Sequence, residues 1–64
     1  MFKLEIKTGG VAFADPMTGE YDDYYEGAEI CRILKGIESS IRNGNAVSGN
    51  VIDINGNVVG RWSR

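Results

Sequence analysis

Alternation of apolar and polar positions opens the chain. Phe2, Leu4 and Ile6 fall on one face and Lys3, Glu5 and Lys7 on the other, the period of two that marks a strand with one wet side. Gly9-Gly10 interrupts it. Val11-Ala12-Phe13 is again apolar, and two arrangements suit it: the strand continued past a bulge, or a short second strand. From Ala28 to Asn43 the period becomes helical, because Ile30, Ile33, Leu34, Ile37 and Ile41 share one stripe about 100° wide. Glu26 and Glu29 at the start and Arg42 at the end complement the helix dipole, and Asn43-Gly44 supplies a left-handed stop. Lys35 with Glu38, and Glu38 with Arg42, stand at spacings that form weak surface pairs.

Val51-Ile52-Asp53-Ile54 and Val58-Val59-Gly60-Arg61-Trp62 flank Asn55-Gly56-Asn57, and Asn-Gly between apolar runs signals a hairpin. A two-residue turn of type I′ would pair Ile54 with Asn57. A type I turn followed by Gly56 in the left-handed region would pair Asp53 with Asn57, and it suits the Asp, Asn and Gly in their places better. That register sets Val51 opposite Val59 and Ile52 opposite Val58. The order strand, helix, strand, strand predicts an α+β fold, a two-layer β-α-β-β sandwich with one amphipathic helix on a small three-stranded sheet. If the first strand lies parallel to a hairpin strand, its crossover should be right-handed.

With 64 residues the chain makes one domain, residues 1–64, with a thin core. A single cysteine excludes a disulfide, and the absence of histidine excludes a Cys/His zinc site. No metal or cofactor is expected. Oligomerisation is then the common remaining way to supplement so small a core. No apolar run reaches the length of a membrane span, and the opening residues lack the continuous hydrophobic region of a secretory leader. The expectation is a soluble cytoplasmic protein with Cys31 reduced and no membrane association. A net charge of −2 gives no general affinity for nucleic acid.

That net charge conceals a strong asymmetry. Residues Ala14 to Gly27 hold all three tyrosines, the only proline and five of the nine acids, with no basic residue. Asp15-Pro16 and Thr18-Gly19 are turn signals, so the segment is expected to be a long loop, and loops of this length in small domains are commonly functional. Started at Asp15, an EF-hand pattern would put Met17 third and Gly19 fifth, and so fails. Adjacent Asp22 and Asp23 point to opposite sides of an extended segment and are poorly placed as a catalytic pair. Cys31 has no histidine to make its thiolate and is expected to be a small apolar filler at the edge of the core. Gly9-Gly10 is followed by no helix and no phosphate-binding lysine, which leaves a strand break. The chain is not expected to be an enzyme.

Recognition by surface survives. Tyr21, Tyr24 and Tyr25 interleave with Asp22, Asp23 and Glu26, and large rigid rings beside carboxylates suit a basic protein partner. The plainer possibility is that Tyr24 or Tyr25 covers the thin core while the acids keep the loop soluble. A second candidate site uses Arg61, Trp62 and Arg64 to bind a nucleotide-like ligand between subunits, with the indole stacking and an arginine on phosphate. A structural accessory role without ligand is a third.

Three stretches, Phe2-Lys3-Leu4-Glu5-Ile6-Lys7, Gly27-Ala28-Glu29-Ile30-Cys31-Arg32-Ile33-Leu34 and the run from Ser48 to Trp62, resemble short open reading frames of bacterial phages and prophages. The resemblance spans most of the chain and implies a context, not a site. It points to an accessory protein inside a bacterial host that blocks a host protein or sequesters a small signal molecule. The function expected from residues and resemblance together is inhibition of a host protein through the acidic tyrosine segment.

Overall fold

The computed structural model describes all 64 residues. Lys3–Ile6 form β1, with Leu4 and Ile6 half-buried and Lys3 and Glu5 exposed, as the alternation predicts. Asp23–Gly44 form α1, Ser48–Ile52 form β2 and Val58–Ser63 form β3. The sheet has the order β1-β3-β2 and is antiparallel throughout. No two neighbouring strands are parallel, so the condition for a right-handed crossover between them does not arise. One helix on a three-stranded antiparallel sheet makes the fold α+β. No helix is long and apolar enough to cross a membrane.

Between β1 and α1 the chain departs from both strand arrangements. Val11–Phe13 form a single 3₁₀ turn, in which the Phe13 N–H donates to the Gly10 carbonyl at 3.0 Å and the Ala14 N–H to the Val11 carbonyl at 3.1 Å. A strand would point Val11 and Phe13 to the same side. The turn instead leaves Val11 in solvent and drops Phe13 against the helix, where it is 1% exposed. Phe13, Ile33, Ile37, Val51 and Trp62 are the buried core, ringed by half-buried Leu4, Ile6, Ala12, Ile30, Ile41, Ala46 and Val59.

The helix starts at Asp23, five residues before Ala28, where the helical period was expected to begin. Asp22 is extended, at φ −152 and ψ 126, and its Oδ1 accepts the Tyr24 N–H at 2.8 Å. This is an N-cap, and Asp23 and Glu26 in the first turn add favourable charge at the positive end of the dipole. Its end falls one residue beyond Asn43-Gly44. Gly44 stays helical, and Asn45 takes the left-handed conformation at φ 51, which asparagine tolerates better than most residues. Glu38 and Arg42 pair at 3.1 Å, whereas Lys35 forms no ion pair.

The buried line of the helix is Glu29, Ile33 and Ile37, spaced four residues apart. Leu34 lies about 100° round from Ile33 and is exposed, so the stripe is narrower than the apolar pattern suggests. Cys31 lies about 160° from Ile33 and is likewise exposed, which corrects its expected role as core filler.

Asp53 closes the turn between β2 and β3. Its N–H donates to the Asn57 carbonyl at 2.9 Å, its carbonyl accepts the Gly56 N–H at 3.0 Å, and its buried Oδ1 accepts the Asn55 and Asn57 N–H groups, each at 2.9 Å. Gly56 sits at φ 88, the region glycine enters freely. Ile52 faces Val58, but Val51 faces Gly60 instead of Val59. Val59 is thus an extra residue in β3, and its carbonyl accepts the N–H of Lys7, the residue after β1, at 2.7 Å.

Candidate functional site

The acidic segment is more ordered than a long loop. Ala14 and Tyr21 form an isolated antiparallel bridge, Asp15 donates its N–H to the Glu20 carbonyl at 2.9 Å, and the Gly19 N–H returns to the Asp15 carbonyl at 2.7 Å. Asp15 Oδ1 accepts the Met17 N–H at 2.8 Å and Thr18 Oγ1 accepts the Glu20 N–H at 3.2 Å. Local carboxylate and hydroxyl bonds of this kind set tight turns. What was expected to be a loop over residues 14–27 is therefore a tight reversal over Ala14–Tyr21, the cap Asp22 and the first turn of α1.

This geometry separates the three tyrosines. Tyr21 is exposed and donates its hydroxyl to Glu26 Oε1 at 2.9 Å. The carboxylates of Asp23 and Glu26 beside that hydroxyl hold its pKa above the usual phenol range, because a phenolate there would face two negative charges. Tyr24 is 74% exposed. Its ring meets that of Tyr25 edge to face, with centroids 5.1 Å apart at 87°. Tyr25 is half-buried and lies at the mouth of a cleft of about 500 Å³ between the 3₁₀ turn, Pro16, Arg32 and the tip residues Ile54 and Asn55. Tyr25 thus lines this cleft without joining the side chains packed on the core, and Tyr21 and Tyr24 are exposed.

None of Asp15, Glu20, Asp22, Asp23 and Glu26 is in an ion pair, since the chain forms only two, Arg32 with Glu29 and Arg42 with Glu38. The helix entrance thus carries five carboxylates without a cation. No three acidic or thiol groups are grouped to hold a metal.

Sequence reasoning missed the polar clip at the wall of this cleft. Glu29 is 5% exposed; its oxygens accept Arg32 Nε at 2.7 Å, Arg32 Nη2 at 3.0 Å and the Ile54 N–H at 2.8 Å. Arg32 Nη2 also donates to the Ile52 carbonyl at 3.0 Å. The pair ties α1 to β2 and the following turn. Arg32 holds the Glu29 carboxyl below its ordinary value against the opposing effect of burial, with the Ile54 N–H assisting. The four-residue spacing of Glu29 from Ile33 put it on the core face of the helical period, but its charge concealed that it is buried.

The second candidate site does not assemble within the chain. Trp62 is 4% exposed and belongs to the core, so its ring faces are not free to stack on a base. Arg61 alternates to the outer face of β3. Arg64 is tied to the Ala46 carbonyl and Asn45 Oδ1, each at 2.9 Å.

No family model, curated protein or solved structure matches the chain.

Proposed function

We propose that the chain is a non-enzymatic, phage-type accessory protein that binds, and by binding inhibits, a host protein with a basic surface, through Tyr21, Tyr24, Asp23 and Glu26 at the entrance of α1. The observation that carries this is the exposure of Tyr24 on a rigid support. Its ring stands in solvent on the first turn of a capped helix and is braced by Tyr25, while the core is closed without it. A rigid aromatic ring loses little entropy on binding, and surrounding carboxylates steer a basic partner toward it. Tyr25 and Asp22 play supporting parts, Tyr25 as brace and Asp22 as cap.

The test leaves the cap intact. Glu20→Lys/Asp23→Lys should abolish retention of the partner when tagged protein is purified from bacterial lysate at low salt. The melting temperature should fall only slightly, since the reversed charge at Asp23 costs about 1 kcal/mol or less at the helix N-terminus and exposed Glu20 contributes little to folding. Retention of the same partner by the reversed variant would overturn the proposal.

A further inference from the structure

β1 is a terminal strand of the sheet, and its outer edge is open. The Lys7 N–H donates to Val59, so alternate residues 3, 5 and 7 turn their backbone groups toward β3. The N–H and C=O groups of Leu4 and Ile6 then point away from the sheet, and no side chain bonds to them. The opposite edge, β2, is partly occupied. Arg32 occupies the Ile52 carbonyl there, and the outward side chains of Ser48, Asn50 and Ile52 carry no charge that would fix a register.

From this geometry we propose that a second copy of the chain pairs on β1, antiparallel and centred on Leu4, joining two three-stranded sheets into one of six. The register follows from charge and apolar contact together, since centring on Ile6 would also oppose Glu5 and Lys7 but would set Phe2 against Gly10 and lose its apolar partner. With Leu4 opposite Leu4 of the second copy, Lys3 faces Glu5 and Glu5 faces Lys3 on the solvent side, and Phe2 lies over Ile6 on the helix side. Directly opposed unlike charges stabilise a ladder. A shift of the centre by one residue to Glu5 sets Glu5 against Glu5 and Lys3 against Lys7, and is rejected by like charge. Phe2 supplies the apolar contact. It is 51% exposed with its ring 6.1 Å from that of Trp62, so its outer side is the natural cover for a neighbouring strand. A short charged edge ordinarily discourages pairing; here each charge finds its opposite, and the twofold closes the assembly at two copies.

Sedimentation of the full chain from about 10 µM to about 1 mM tests the dimer, which should be half-formed at on the order of 100 µM for so small an interface. Lys3→Glu alone or Glu5→Lys alone opposes like charges twice and should weaken dimerisation about tenfold. Mixing the two variants should restore it, since every cross-strand position again faces the opposite sign. Glu5 also lies beside Arg61 within the sheet, so circular dichroism confirms that each variant is folded; if Glu5→Lys is not, Lys3→Glu alone decides. A wild type that is monomeric throughout the range would overturn the proposal. So would a dimer that the single reversals leave unweakened, or one that folded variants do not restore on mixing.

Discussion

Two residues carry more of this fold than their types suggest. Glu29 is a buried carboxylate whose oxygens are all engaged, by Arg32 and by the Ile54 N–H. Removing it as Glu29→Ala leaves the Ile54 donor unsatisfied and should cost about 2 kcal/mol in chemical denaturation. Because the folded pKa lies below the ordinary 4.5, the folded chain binds its proton less readily than the unfolded one. The stabilisation is therefore full above that value and is lost as pH falls through the folded pKa. The melting temperature of the wild type should drop on acidification below about pH 4.5, and that of Glu29→Gln should drop less; equal slopes would mean that the clip does not sense protonation. Gly60 is the other. A Cβ at this position would overlap the carbonyl oxygen of Glu5 in β1, backbone that cannot swing aside. Gly60→Ala should destabilise by about 3 kcal/mol or more, or release β1 from the sheet. A variant that melts with the wild type would show that the bulge at Val59 is misplaced.

Elements were legible in sequence where a period ran uninterrupted, and illegible where one residue overrode it. The alternation in β1 and the stripe along α1 found their elements. The helix entrance was hidden because Tyr24, Tyr25 and Gly27 are weak helix formers, while the decision lay with one carboxylate, the Asp22 cap. Asp22→Ala should accordingly cost about 1 kcal/mol and fray the first turn, measured as a small loss of helical circular dichroism together with a lower melting temperature. Phe13 was hidden for a different reason. A three-residue apolar run has no period, and only the packing partner across from it turned Val11-Ala12-Phe13 into a 3₁₀ turn. Within the helix, Ile33→Ala or Ile37→Ala should cost about 2–4 kcal/mol, because each removes buried methylenes from a core of five side chains. A change below about 0.5 kcal/mol would mean that this face is not the buried one.

The whole molecule separates folding from display. Its interior is closed by five residues from the 3₁₀ turn, α1, β2 and β3, while unpaired acids and two exposed tyrosines gather at one end of the helix. That gathering was legible as a charge asymmetry along the chain. Sequence did not reveal that Asp22 is spent on a cap or that Trp62 is spent on the core, since both depend on contacts made only after folding. The most direct measurement compares Tyr24→Ala with Tyr25→Ala, recording melting temperature and retention of the partner for each. Tyr24→Ala should melt with the wild type, to within about 0.5 kcal/mol in stability, and lose the partner, with a binding cost of about 2 kcal/mol or more. Tyr25→Ala should lower stability, because its half-buried ring lines the cleft beside Arg32 and packs edge to face on Tyr24. If Tyr24→Ala instead unfolds the protein, or stays folded and holds the partner as before, the exposed ring is not a recognition element and the proposed function is contradicted.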